Sequence, residues 1–331
     1  MGAHPPPESE SHILYLSAAD VDAARPSGSA FLATVAEVFR LRAAGQTELP
    51  PKLAVHPTED GFLHAMPASL PALGAVGMKW IAAYADNGAR GLPAIGGLIV
   101  LNAPRTGRVL AVMDAAWITV ARTAATSMLS ARHLARPRAA SLGILGCGAQ
   151  ARAHIGIFGI RYPLERVHVY DRHPERATAL AEESFGSTPL DIRAVATPRE
   201  VVEGMDLVVT GGSITPVSRR TIEPGWLAPG AFASILDYDS SWSRGALEQL
   251  DLLCTDDTEQ LELTRSRGRL AELPPTQADL ADLVSGRHPG RTSDEQRTAA
   301  CNLGVGLTDV AVAAVVLERA WELRVGTWLP R

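Results

Sequence analysis

A glycine-containing turn between an apolar strand and a helix constrains the fold of this chain more than any other feature. The apolar run Leu142–Leu145 is followed by the hexapeptide Gly146–Ala151, whose sequence GCGAQA matches the pattern G-x-G-x-x-A. Gly146 permits a tight turn, Gly148 lets the backbone approach a pyrophosphate, and Ala151 lets the helix pack close to the strand. Free amides at the start of the helix favour an anion. The pattern therefore predicts a dinucleotide-binding unit.

The strand after this helix ends in an acidic residue where a ribose contact is expected. Val167–Tyr170 is followed by Asp171, about 20 residues beyond the glycines. A carboxylate there accepts hydrogen bonds from both ribose hydroxyls and repels a 2′-phosphate, which favours NAD over NADP. Arg172 has two interpretations: its side chain is solvated, or its charge lets the site accept a 2′-phosphate. The alternative to a cofactor site is a β–turn–α unit that uses glycine only at its corner.

The predicted cofactor contacts come from the glycine turn, from the acidic strand end and from the end of the later strand Asp206–Thr210. They are Gly146, Gly148, Ala149, Gln150, Asp171, Arg172 and Thr210.

The hydrophobic pattern divides the chain into two domains. Between residues 50 and 114, strand-like segments are separated by Pro and Gly turns, which predicts a largely antiparallel sheet. After Arg136-Pro137 strands and helices alternate, which predicts a parallel, doubly wound sheet of Rossmann type. Val305–Val325 has a helical pattern, and we expect it to pack on the first domain with no strand after it. The fold class is therefore α/β, with a smaller antiparallel α+β domain at residues 1–124 and 302–331 and a Rossmann domain at residues 125–301.

Composition excludes several classes of partner. The net charge is −5 without a basic stripe, which argues against nucleic acid. The three cysteines, Cys147, Cys254 and Cys301, are scattered, so we expect reduced thiols and no metal site. No apolar run is long enough for a membrane span, and the segment through His12 predicts a short disordered leader. We therefore expect a cytoplasmic protein.

Motifs spread along nearly the whole chain resemble the ornithine cyclodeaminase/μ-crystallin family. They include Met66-Pro67, Met78-Lys79-Trp80, Ala111–Asp114 and Ala121–Ser127, in addition to the glycine turn. The resemblance implies a Rossmann domain that binds NAD(P), an antiparallel domain for dimerisation and substrate binding, and a homodimer. It also implies a small amino acid or imine as substrate.

The resemblance assigns three cations to the carboxylate of the substrate. Lys79 is expected to bind it, although a lysine on a strand is otherwise often solvated. Arg122 lies in a helix of small and apolar residues, and its fork matches a carboxylate; the alternative is an internal salt bridge to Asp114 or another acid. Lys52 stands where the cyclodeaminases have an arginine, or is a surface lysine after two prolines.

Two further positions are expected to contact the rest of the substrate. His64 replaces a glutamate of ornithine cyclodeaminase, which puts ornithine in doubt; it binds a different side chain, shuttles a proton, or is a half-buried strand histidine. Asp239 matches the catalytic aspartate of the family, with Asp237 as the competing assignment and a helix-capping aspartate as the structural alternative. Asp309, after Gly304-Val305-Gly306, is expected to lie at a cofactor contact or a hinge.

The expected activity is an NAD(H)-dependent cyclodeaminase or dehydrogenase that acts at the Cα–N bond of a small amino acid. Hydride leaves Cα to give an imine, with Asp239 and Lys79 as the catalytic residues, and cyclisation or hydrolysis follows. The alternatives are imine or ketimine reduction, alanine dehydrogenation, and oxidative cleavage as in 2,3-diaminopropionate biosynthesis. A non-catalytic NAD(P)H-dependent ligand binder and a hydroxy-acid dehydrogenase also remain open.

Overall fold

The computed structural model describes residues 11–59, 61–185, 190–212, 219–238 and 240–331. Most of the expected disordered leader, residues 1–10, lies outside these residues, and His12 already begins a strand. The described residues fall into two compact units, one within Met1–Arg122 together with Gly304–Arg331 and the other within Thr123–Leu303.

The described strands and helices extend from residue 12 to residue 330. In chain order they are β1 (His12–Leu16), α1 (Ala18–Ala23), α2 (Gly28–Ala43), β2 (Leu53–Val55), β3 (Gly61–Leu70), β4 (Ala75–Tyr84), β5 (Ile95–Asn102), β6 (Val109–Asp114), α3 (Ala116–Leu134), β7 (Ser141–Leu145), α4 (Ala149–Arg161), β8 (Arg166–Tyr170), α5 (Pro174–Ala181), β9 (Asp191–Ala194), α6 (Pro198–Val202), β10 (Leu207–Thr210), β11 (Phe232–Ile235), α7 (Arg244–Leu247), β12 (Leu252–Thr255), α8 (Thr258–Ser266), β13 (Ala278–Asp279), α9 (Leu280–Ser285), β14 (Thr298–Cys301), α10 (Gly306–Leu323) and β15 (Thr327–Pro330). Short 3-10 turns occupy Pro71–Leu73 and Ala85–Arg90.

The first unit is built on a seven-stranded sheet with the order β15-β1-β6-β5-β4-β3-β2. All neighbouring strands are antiparallel except β1 and β6, so the prediction of a largely antiparallel sheet is confirmed. The closing helix α10 packs on β3, β4 and α2, as expected. The expectation that no strand follows it is wrong, because β15 pairs with β1 from Thr327 to Pro330. This strand is short and follows Gly326, so its sequence pattern is weak.

Helices cover one face of this sheet and leave the other face apolar and exposed. On the covered face Met66 is buried and Gly306 of α10 lies so close to β3 that a Cβ would come within 2.7 Å of the Met66 carbonyl oxygen. On the other face, Leu53, Trp80 and Leu98 are 69%, 39% and 40% exposed. They lie in register on β2, β4 and β5, and β3 lies between β2 and β4. We call this surface, defined by Leu53, Trp80 and Leu98, the open face.

The second unit is the predicted doubly wound parallel sheet. Its eight strands have the order β13-β12-β14-β11-β10-β7-β8-β9, and every pair is parallel. The strand order reverses between β7 and β10, which is the position where such sheets bind ligands beyond their carboxyl ends. The Rossmann-type fold class is therefore confirmed. Among the described residues, no helix is long and apolar enough to cross a membrane.

Candidate cofactor and substrate sites

The glycine turn has the geometry that a pyrophosphate requires. Gly146 has φ +102, and a Cβ there would lie 2.9 Å from the backbone of Gly211, so only glycine fits. A Cβ on Gly148 would meet no atom within 4 Å and would project into open space. Gly148 caps α4 without a side-chain hydrogen bond, so the amides of the first turn, which includes Ala149 and Gln150, have no side-chain cap there. The turn therefore fits an anionic ligand.

Gln150 contributes a second feature that suits a ligand. Its Oε1 is shielded from solvent and has no hydrogen-bond partner among the described residues. Buried polar atoms are almost always paired, so an acceptor in this position suits a donor group on a bound molecule.

Asp171 joins the end of β8 to the glycine turn. Its Oδ2 accepts a hydrogen bond from the Cys147 amide at 2.9 Å, and its Oδ1 accepts one from the His173 amide at 3.0 Å. Burial, and then the charge of Asp171, raise the pKa of the Cys147 thiol to about 12, which keeps that thiol protonated. Cys147 is therefore a packing residue of the turn and not a nucleophile.

A cleft in this unit brings several of the predicted cofactor residues together. Its lining includes Gly146, Asp171, Arg172, Asp237 and two arginines that sequence reasoning missed, Arg176 and Arg219. Arg176 could have been predicted from its position near the start of α5. A helix that follows an acidic strand end begins at the same edge of the sheet.

Thr210 and Asp237 form a buried network at the ends of β10 and β11. The Thr210 hydroxyl donates to Asp237 Oδ1 at 2.7 Å and accepts from Trp242 Nε1 at 3.2 Å, while the Ser241 hydroxyl donates to Asp237 Oδ2. Both Thr210 and Asp237 are fully buried. The hydroxyl of Thr210 thus supports Asp237. Asp239 lies outside the described residues.

In the first unit, the cations predicted for the substrate carboxylate come together around one acid. Lys79 Nζ on β4 lies 2.6 Å from Asp309 Oδ1, and Arg122 Nε on α3 lies 3.0 Å from the same oxygen. Lys52 is also buried and is close enough to lower the pKa of Lys79. We call Lys52, Lys79, Arg122 and Asp309 the cation cluster.

Burial sets the charge of Lys79. Desolvation, followed by repulsion from Arg122 and to a lesser extent from Lys52, lowers the pKa of Lys79 to about 7, while Asp309 opposes the shift. The ammonium is 1% exposed, so few water molecules stabilise its charge. A second anion beside Lys79 would further stabilise the charged form.

His64 lies on the same face of the sheet as Lys79. Met66 pairs with Lys79 and His64 pairs with Ile81, so His64 is one residue pair further along the two strands. Its ring stacks on Phe62, with centroids 4.4 Å apart. This places a titratable ring beside the cation cluster on the face covered by α10.

Asp309 is the site residue whose surroundings sequence reasoning did not foresee. Arg122 forms an internal salt bridge with Asp309, which is one of the outcomes that the sequence left open, while Asp114 accepts a hydrogen bond from the Ala116 amide. Asp309 is fully buried near the start of α10, whose residues up to Leu317 are otherwise apolar except for Thr308. A carboxylate buried there requires a buried cation as its partner, so an acidic residue in this apolar segment could have indicated such a pair.

Comparisons with known proteins agree with this architecture. The model of the ornithine cyclodeaminase/mu-crystallin family matches residues 13–323. An alanine dehydrogenase of Archaeoglobus fulgidus is 32% identical over 308 residues, covering 88% of this chain and 91% of that protein.

Two solved structures also superpose on nearly the whole chain. The Thermococcus litoralis Δ1-pyrroline-2-carboxylate reductase in complex with NADH and L-proline has a TM-score of 0.86 and 26% identity, covering 95% of this chain and 99% of that one. An archaeal alanine dehydrogenase dimer with bound NAD has a TM-score of 0.85 and 28% identity, covering 96% and 99%. From the family match and these whole-chain similarities, the chain belongs to the ornithine cyclodeaminase/μ-crystallin family.

Proposed function

We propose that this chain is an NAD(H)-dependent enzyme that acts at the Cα–N bond of a small amino acid. The observation that supports this most directly is the sharing of one Asp309 oxygen by Lys79 and Arg122. These three groups alone carry one positive charge in excess when Lys79 is protonated. A buried excess of positive charge suits a carboxylate, which every α-amino acid and its α-imine share.

The carboxylate of the substrate binds to Lys79 and Arg122, with Lys52 adding to the positive potential. This contact fixes the orientation of Cα and lowers the entropy cost of the reaction. His64, on the same face, contacts the side chain of the substrate and selects among amino acids. The Phe62 ring against which it stacks limits its rotation.

The glycine turn, Gln150 and Asp171 hold NAD(H), and Arg172, Arg176 and Arg219 add positive charge around its phosphates. When bound, NAD(H) would supply the acceptor for a hydride from the substrate Cα, or the donor in the reverse direction. Asp239 accepts a hydrogen bond from the amine of the substrate and takes up its proton as the imine forms. Asp237, held by Thr210 and Ser241, supports the strand end beside it.

The fate of the imine defines the reaction class. Water at the imine carbon gives an oxo acid and ammonia. An internal amine displaces ammonia to give a cyclic imine, and return of the hydride reduces it to a cyclic amino acid. The reverse direction of the first step reduces an imine. The similar proteins include an alanine dehydrogenase and a pyrroline-2-carboxylate reductase, so both small open-chain amino acids and cyclic imines belong in the test set.

The decisive experiment follows the absorbance of NADH during incubation of the purified full chain with amino acids plus NAD or with cyclic imines plus NADH. We expect turnover with at least one pair, and loss of turnover in Lys79→Met. If NADH binds but no amino acid or imine changes its absorbance and no amino acid releases ammonia, the chain is a ligand binder and the enzymatic proposal fails.

We also propose that two copies of the chain associate through the open face. Leu53, Trp80 and Leu98 expose apolar surface across neighbouring strands, which is unusual for a surface that faces water only. The similar archaeal alanine dehydrogenase is a dimer.

A further inference from the structure

Asp309 holds two cations of the cation cluster in place. One of its oxygens, Oδ1, contacts both Lys79 Nζ and Arg122 Nε, so the two cations are held at a fixed separation by a single atom. Its other oxygen, Oδ2, is buried and has no hydrogen-bond partner among the described residues. A carboxylate kept in this state must be stabilised by the charges on its Oδ1 side and by the start of α10, whose dipole favours an anion.

Two glycines fix the position of Asp309 and its partners. The close approach of Gly306 to the Met66 carbonyl oxygen seats the start of α10 on β3, whose residue Met66 pairs with Lys79 on β4. Gly304 has φ +80, and a Cβ there would collide with the terminal nitrogens of Arg122. The guanidinium therefore lies between Asp309 at its Nε and the backbone of residue 304 at its terminal nitrogens.

We propose that Asp309 is a positioning residue of the substrate carboxylate site, which holds Lys79 and Arg122 in a charged, fixed arrangement before the substrate binds. This inference rests on the proposed function, because it assigns Lys79 and Arg122 to the carboxylate. Asp309 takes no proton and touches no reacting atom. Its effect reaches the substrate through the two cations.

The charges around Lys79 determine what the loss of Asp309 does. Arg122 on α3 and Lys52 before β2 act on its charge, His64 on β3 lies on the same face, and Asp309 on α10 is an acid in contact with it. Burial and the two neighbouring cations lower the pKa of Lys79, and Asp309 raises it. Without the carboxylate, Lys79 loses its proton at a lower pH and no longer attracts an anion near neutral pH.

The first test is substitution of Asp309→Asn in the full chain, with the protonation of Lys79 as the readout. NMR of protein labelled with ¹³C at the lysine Cε atoms follows the titration, and Lys79→Met identifies the signal. We expect the midpoint of Lys79 to fall by about one pH unit or more in Asp309→Asn. An unchanged or higher midpoint would overturn the proposal. This readout needs no substrate, so it is independent of whether the proposed reaction occurs.

The second test separates positioning from chemistry. With the best substrate of the screen, we expect the KM of Asp309→Asn to rise about tenfold or more near neutral pH and to recover as the pH is lowered, with kcat changed only a few-fold. A loss confined to kcat at every pH contradicts the positioning role. The affinity for NADH should remain that of the wild type.

Asp206→Asn is the matched control, since Asp206 is a partly buried acid that binds Arg136 and the amides of Ala140 and Ser141. It should lower stability and leave the titration of Lys79 unchanged. If Asp309→Asn does not fold, Asp309→Glu replaces it, because it keeps the charge and moves it. We then expect a nearly unchanged Lys79 midpoint with a KM raised about fivefold or more, and an unchanged KM would refute the proposal.

Discussion

The carboxylate of Asp171 accepts a hydrogen bond from the backbone amide of Cys147 at 2.9 Å, which joins the acidic end of β8 to the glycine turn. The side chain is thereby held in place, and Asp171 lines the same cleft as Gly146 and Arg172. A carboxylate fixed at this point accepts hydrogen bonds from the two hydroxyls of a ribose and repels a phosphate ester there.

We therefore expect NADH to bind more tightly than NADPH, by about fifty- to a hundredfold. Asp171→Ser should reduce this preference to about tenfold or less, because Arg172 and Arg176 then attract the 2′-phosphate without opposition. Fluorescence titration with both nucleotides measures the ratio. Asp191→Ser, at an exposed acid paired with Arg193, is the control and should leave it unchanged. Tighter binding of NADPH by the wild type would contradict the assignment of Asp171.

Lys79→Met should abolish most substrate affinity while the chain stays folded. Arg122 and Asp309 remain a one-to-one ion pair in this variant, and methionine fills a similar volume. Losing a buried contact between opposite charges should lower kcat/KM by roughly 100-fold or more. The dissociation constant for NADH, measured in parallel, should not change. A variant with wild-type kcat/KM would remove Lys79 from the substrate site.

The depressed pKa of Lys79 also predicts how stability depends on pH. Its pKa is about 7 in the folded chain, below the ordinary value of 10.5, so between these values the unfolded chain binds more protons. The contribution of this group to stability is therefore lowest below about pH 7 and rises towards about pH 10, by a few kcal/mol in total. Urea denaturation of the wild type and Lys79→Met across this range should show the wild type gaining stability relative to the variant. Parallel curves would indicate an ordinary lysine.

Asp239→Asn and Asp237→Asn distinguish the proton-handling acid from its neighbour. We expect Asp239→Asn to slow turnover by about a hundredfold to ten-thousandfold with little change in substrate binding. Asp237→Asn disturbs the buried hydrogen bonds with Thr210 and Ser241, so it should lower the melting temperature with a smaller effect on turnover per folded molecule. Melting curves and single-turnover rates measure the two effects. If Asp237→Asn is the inactive variant, the register assigned to this loop is wrong.

Trp80→Glu should convert a dimer to a monomer without unfolding it. Trp80 lies opposite Leu98 on the open face, and a carboxylate there would be buried by a second copy. Light scattering measures the mass. Ile160→Glu, at an apolar residue of α4 that is 61% exposed, is the control and should remain dimeric. A monomeric wild type would refute association through this face.

The sequence predicted the two sheets because each has a local signature. Glycines at fixed offsets and an acidic strand end identify a Rossmann unit, and Pro and Gly turns identify an antiparallel one. The position of Asp309 in the cation cluster was not predicted, because its role depends on a contact with Arg122, 187 positions earlier in the chain. Local patterns do not show such pairs. The same applies to β15, whose partner β1 lies at the other end of the chain.

The edges of the seven-stranded sheet influence how copies of the chain can meet. One edge is β15, which contains Pro330 opposite His12, and the other is β2, which is only three residues long and follows Pro50-Pro51. Proline offers no amide hydrogen, and a short strand offers few, so neither edge is a good template for an added strand. Addition of strands at either edge, which would extend the sheet into a fibre, is therefore unfavourable. Association through a face, which closes after two copies, remains available.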